Sequence, residues 1–134
     1  MPHEARYRVH YEDVDMGAVV YHANYLRFIE RARSEALAEA GVDQGAMRAA
    51  GLVFVVTRIE ADFLSPARYG DMIRVETEAT ETRGASATLA QAVFREETPL
   101  FRARVVFACM TLEGRPVRLP AEARAALAAM EGER

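Results

Sequence analysis

The sequence lacks tryptophan and lysine, and it has a single cysteine, Cys109, among its 134 residues. One cysteine excludes an intramolecular disulfide and any multi-cysteine metal site. Long hydrophobic runs are missing as well: Leu52–Thr57 is typical of the longest, far short of the ~20 residues that a membrane helix needs. Neither charge sign dominates. Seventeen basic and twenty acidic residues leave a net charge of −3, which gives no electrostatic basis for binding nucleic acid or an anionic membrane. Because every basic residue is arginine, an anionic ligand must be held by guanidinium forks or by backbone amides. His3, His10 and His22 have neither H-E-x-x-H spacing nor cysteine partners, so no metal is expected. The opening residues 1–7 carry no apolar signal-peptide core, and a cytoplasmic location is the expectation.

What is present suits one compact domain over residues 1–134, with 51% hydrophobic and 28% charged residues. A short strand is predicted around Ala5–Tyr11, where Tyr7, Val9 and Tyr11 alternate with polar neighbours. An irregular loop, Asp13–Ala18, leads to a helix running from Tyr21–Asn24 to Ala40. Its apolar residues Leu26, Ile29, Ala32, Leu37 and Ala40 recur at helical spacing, and Asn24 is placed to cap it. Gly41 suits a left-handed C-cap, and Asp43–Ala50 suits one or two further turns. Beyond Gly51 the period changes from 3.6 to 2. Strands are predicted over Leu52–Leu64, Met72–Thr82, Ala85–Arg95 and Leu100–Leu112, with turns at Ser65–Asp71, Arg83-Gly84 and Glu97-Thr98-Pro99. The alanine-rich stretch Ala121–Met130 reads as a helix. Short connections favour antiparallel pairing of successive strands, so the expected class is α+β: a five-stranded antiparallel sheet wrapped around one long helix. The exposed face and edges of such a sheet favour a homo-oligomer.

The stretch that carries chemistry is Tyr11–Tyr25. It sets Asp13 and Asp15, a glycine turn at Gly17 and His22 just before the start of the long helix. A helix start offers unpaired N–H groups and a partial positive charge, suited to an anion or a developing oxyanion. A carboxylate opposite it can activate water or attack a carbonyl. Together they suit thioester hydrolysis, because a thiolate leaving group, with a conjugate-acid pKa of about 8.5, departs with little help from a general acid. Asp13 reads as structural, bonding the loop's own amides, and Cys109 as a core residue.

The pattern Asp13-x-Asp15-x-Gly17-x-Val19-Val20-Tyr21-His22-x-x-Tyr25, continuing to Glu30-Arg31-Ala32-Arg33, resembles the hotdog-fold acyl-CoA thioesterases. It is closest to the Tol–Pal-cluster type, related to the 4-hydroxybenzoyl-CoA thioesterases. Phe63–Asp71 resembles the turn after that family's second strand. The resemblance implies Asp15 as the catalytic general base or nucleophile, and the backbone amide at His22 as the group polarising the thioester carbonyl. Gly17, Tyr21 and Tyr25 are the substrate-binding candidates, with plain packing the other reading of the two tyrosines. Coenzyme A enters as part of an acyl-CoA substrate, with no further cofactor, and the active sites lie at the interface of a homodimer or homotetramer. The family pattern often has two adjacent glycines where this chain has Gly17-Ala18. Arg58, Arg68, Arg83, Arg102 and Arg104 are the candidates for holding coenzyme A phosphates. Two rival readings are a hotdog hydratase or dehydratase and a non-catalytic acyl-binding module. The hydratase pattern resembles D-x-N-P-x-H, with four residues between acid and histidine; here six separate Asp15 from His22.

Overall fold

The computed structural model describes residues 2–132. Its elements in chain order are β1 (His3–Arg8), a turn of 3₁₀ helix (Tyr11–Asp13), α1 (Asn24–Glu39), α2 (Gln44–Ala49), β2 (Leu52–Phe63), β3 (Met72–Thr82), β4 (Ser86–Arg95), β5 (Thr98–Thr111) and α3 (Ala121–Ala129). All five strands form one antiparallel sheet in the order β1-β3-β4-β5-β2, with α1 packed chiefly on β3, β1 and β4. This is the expected α+β hotdog architecture.

Alternation decides the faces of the sheet. Ile73, Val75, Thr77 and Ala79 of β3 are buried, as are Leu89 and Val93 of β4 and Phe101, Val105 and Phe107 of β5. Against them α1 sets Tyr25, Phe28, Ile29, Ala32, Ala36 and Leu37. Burying a side chain of the Leu, Ile or Phe kind is worth about 1.5–3 kcal/mol, so this layer dominates the stability. Cys109 is buried in a second cluster with Leu37, Phe107 and Leu127, as the sequence reading has it. Gly41 takes φ +98° just past α1, and Asp43 caps α2 by accepting from the Ala46 amide at 2.9 Å.

Five expectations are corrected. The first strand ends at Arg8 rather than Tyr11, because the Asp13 carboxylate takes the His10 amide at 2.8 Å and turns the chain. Helix α1 begins at Asn24 with Ala23 as its cap residue, and no side chain caps it. Leu26 lies off the buried stripe, which centres on Tyr25, Phe28, Ile29 and Ala32. The β4–β5 hairpin turns at Glu96-Glu97, with Arg95 opposite Thr98 and Glu96 at φ +55°, so Thr98-Pro99 belongs to the strand. Finally, β2 does not pair with its successor β3 but with β5. The link 64–71 carries the chain across the sheet instead, and β2 becomes an edge.

Candidate active site

The chain between β1 and α1 is a small hairpin. Val14 bridges Val20, the Asp15 amide donates to the Val19 carbonyl at 3.0 Å, and the Ala18 amide returns to the Asp15 carbonyl at 2.9 Å. At the tip the Gly17 amide donates to Asp15 Oδ1 at 2.9 Å. The tight turn is closed by Ala18 rather than by a glycine, at φ +60°. The two sequence motifs meet here: Val19 bridges Arg68, the Val20 amide donates to Ala67 O at 2.8 Å, and the Tyr69 amide donates to Ala18 O at 3.2 Å.

Asp13 holds this loop to the helix. Its carboxylate accepts from the His10 amide and from Asn24 Nδ2 at 2.8 Å, while its carbonyl accepts from the Tyr21 amide at 3.0 Å. That is the structural role expected of Asp13. Asn24 departs from its expected role, since it is the first helical residue and clamps Asp13 rather than capping α1.

The His22 and Ala23 amides make no hydrogen bond among the described residues. They stand at the start of the longest helix, where the partial positive charge of the dipole adds to their donor capacity. His22 opens on a cleft walled by Val20, Tyr25, Phe63, Leu64 and Pro66. Its imidazole lies 4.6 Å from the Tyr21 ring and 6.2 Å from Phe63, centroid to centroid. Tyr25 is 3% exposed and stacks on Phe101 at 4.9 Å. Its hydroxyl accepts from the Ala67 amide at 3.0 Å, and burial raises its pKa above the usual value.

Asp15 lines the neighbouring cleft, with Tyr11, Met16, Ala18 and Tyr69. Its carboxylate is exposed and only one of its oxygens is engaged. Asp15 and His22 therefore flank one hairpin but do not line one cavity in the single chain. Gly17 serves the Asp15 turn, where a Cβ would meet Asp15 Oδ1 at 3.3 Å, and Tyr21 stands exposed beside His22.

Of the five candidate arginines, Arg58 and Arg104 pair with Glu60 and Arg83 with Glu81. Arg102 sits on the outer face of the sheet, beside Glu60 and Asp62. Arg68 adjoins the Asp15 cleft, and its exposed guanidinium has no ion pair among the described residues. Sequence reasoning missed Phe63 and Tyr69 as cleft walls. Both lie in the quoted Phe63–Asp71 motif, Phe63 at the end of a predicted strand and Tyr69 in the predicted turn, and neither pattern tells which cleft a side chain borders.

Among the described residues, no helix is long and apolar enough to cross a membrane. A family model described as the thioesterase-like superfamily matches residues 9–127. The acyl-CoA thioester hydrolase YbgC of Escherichia coli O6:H1 is 42% identical over 115 residues, covering 84% of this chain and 86% of the relative. The acyl-CoA thioesterase YbgC of Haemophilus influenzae is 41% identical over 121 residues, covering 89% of each. The crystal structure of a probable thioesterase from Bartonella henselae superposes with TM-score 0.85 at 36% identity, covering 90% of this chain and all of that one.

Proposed function

This chain belongs to the thioesterase-like superfamily, and on that footing we propose that it hydrolyses acyl-CoA thioesters to a free acid and coenzyme A. The observation that carries the mechanism is the pair of unpartnered amides, His22 and Ala23, at the start of α1 beside an apolar cleft. The thioester lies across the Val14–Val20 hairpin. Its acyl group enters the His22 cleft, and its pantetheine arm passes over Asp15 and Tyr69 toward Arg68, which takes a phosphate.

The carbonyl oxygen rests on the His22 amide. Asp15 takes a proton from water as the water oxygen attacks the carbonyl carbon. The oxyanion then collapses, the C–S bond breaks and the thiolate leaves. Direct attack by the Asp15 carboxylate, giving a mixed anhydride that water then opens, uses the same groups. One oxyanion donor is typically worth about 2.7–4 kcal/mol of barrier.

The functional unit is a homo-oligomer. Strand β2 is a twelve-residue edge, and its last residue, Phe63, walls the His22 cleft. A second copy seated on that edge supplies the missing wall. The test is thiol release from a panel of acyl-CoAs by the wild type and by Asp15→Asn. The variant is expected to lose 10²-fold or more, at least ~2.7 kcal/mol. Wild-type turnover by Asp15→Asn overturns the assignment of Asp15. Loss of enoyl absorbance from crotonyl-CoA without thiol release turns the reading to a hydratase, and thermal protection by acyl-CoA without any turnover turns it to a binding module.

A further inference from the structure

The link 64–71 carries an ion pair that stands back from the reacting groups. The Arg95 guanidinium, at the end of β4, donates through Nη1 to Asp71 Oδ2 at 2.9 Å and to the Pro66 carbonyl at 3.2 Å. The same carboxylate oxygen accepts from the Arg68 amide at 2.8 Å. One ion pair thus grips the residues on either side of Ala67. The Arg95 and Asp71 side chains are 35% and 22% exposed, short of the open surface where such pairs contribute little. Hydrogen bonds with a charged partner are about twice as strong as neutral ones. Asp71 is also fixed by its backbone, since its carbonyl accepts from the Val9 amide at 2.8 Å and its amide donates to the Arg68 carbonyl at 3.0 Å.

Ala67 is fully buried, and both of its backbone groups reach the segment that carries His22. Its carbonyl accepts from the Val20 amide at 2.8 Å, two residues before His22. Its amide donates to the Tyr25 hydroxyl at 3.0 Å, three residues after His22. His22 therefore lies between the two contacts that Ala67 makes, and a shift of Ala67 moves both ends of its segment. The Asp15 turn is tied to the next residues of the link, because Val19 bridges Arg68 and the Tyr69 amide donates to Ala18 O at 3.2 Å. The link is thus a common base for the acid and for the amide that faces the carbonyl.

We propose that Asp71 and Arg95 are positioning residues for the hydrolysis: by gripping Pro66 and Arg68 they fix Ala67, and through it the place of the His22 amide relative to Asp15. This rests on the thioesterase reading above. Misplacing a catalytic group by about 1 Å costs on the order of a hundredfold in rate. An amide that meets the carbonyl oxygen most strongly once it carries charge acts on the transition state more than on bound substrate. Loosening the grip therefore lowers kcat and leaves KM nearly unchanged.

The test is kcat and KM for thiol release by the wild type, Arg95→Met, Arg95→Lys and Asp71→Asn, each assayed well below its melting temperature. Two thioesters of one acid are compared: the acyl-CoA, and the acyl-pantetheine that keeps the arm but lacks the nucleotide and its phosphates. Arg95→Met is expected to lose about tenfold or more in kcat, with KM within about threefold, and to lose it equally with both thioesters. Arg95→Lys, which keeps a charged donor for the Asp71 carboxylate, is expected to recover much of that loss. A loss confined to the acyl-CoA means that the pair merely aims Arg68 at a phosphate, and overturns the proposal. Wild-type kcat in folded Arg95→Met makes the pair a stabilising contact alone, and also overturns it. Should Arg95→Met not fold, Asp71→Asn keeps an acceptor for the Arg68 amide and removes the charge that holds Arg95. The same split between kcat and KM is expected of it, and unchanged kcat overturns the proposal. Absence of thiol release by the wild type with every acyl-CoA is failure of the thioesterase reading itself.

Discussion

At position 18 a single methyl group works against the backbone. Ala18 closes the Asp15 turn in the left-handed region, where a Cβ crowds the following carbonyl at a cost of about 1–2 kcal/mol. Glycine removes that crowding but frees the unfolded chain, which offsets part of the gain. Ala18→Gly is therefore expected to stabilise the fold by about 0.5–1 kcal/mol, read as a rise in the denaturant midpoint with unchanged slope. A loss of stability would mean that the turn is not left-handed at this residue. The same loop shows what single residues disclose in sequence. Asp13 was legible as structural because a short acid in a loop of free amides has obvious bonds to make. The clamp from Asn24 was not, since pairing across eleven positions depends on how the hairpin folds back. Phe63 was hidden for a similar reason: alternation gives its face but not which cleft that face borders.

Elements were more legible than their partners. Alternation located β3 as Met72–Thr82 and the helical period located α1 to within its first turn, because a period of 2 or 3.6 is written locally. The pairing of β2 with β5 was not written locally. It follows from the 64–71 link, which is held by the 18–20 segment through Val20–Ala67 and Tyr69–Ala18 backbone bonds. Tyr25 joins these elements, reaching from α1 to the Ala67 amide. Tyr25→Phe leaves that buried amide unsatisfied, at an expected cost of about 1–3 kcal/mol in chemical denaturation. The hydroxyl also gives a pH signature. Burial holds its folded pKa above the usual value, so the unfolded chain releases the proton first. Stability is then flat below about pH 10 and falls as pH rises past it. Tyr7, raised by burial and by its bond to Glu35, adds to the decline. Thermal melts from pH 8 to 11 should show a shallower fall in Tyr25→Phe than in wild type, and parallel curves would refute the linkage.

For the whole molecule the surface is larger than its mass predicts. A folded monomer of 14.9 kDa should expose about 7,000 Å², whereas this chain exposes 7870 Å². An excess of this sign fits a chain that leaves a face uncovered. Its location is consistent: β2 has one unpaired edge along twelve residues and an open apolar inner face at Val56, Ile59 and Phe63. A long apolar edge of this kind invites another strand, and a second copy offers the same edge under two-fold symmetry. Light scattering should therefore give a mass of two or four times 14.9 kDa. Replacing Val56 and Ile59 together by Glu charges a surface that is half open in the single chain, so the protomer should still fold. Its mass should fall to that of one chain, and, on the proposal that a second copy completes the His22 cleft, thiol release should disappear with it. A wild type that runs as a monomer with full turnover would place the whole reaction within one chain. The Asp15 and His22 clefts would then have to join by movement of the Val14–Val20 hairpin alone.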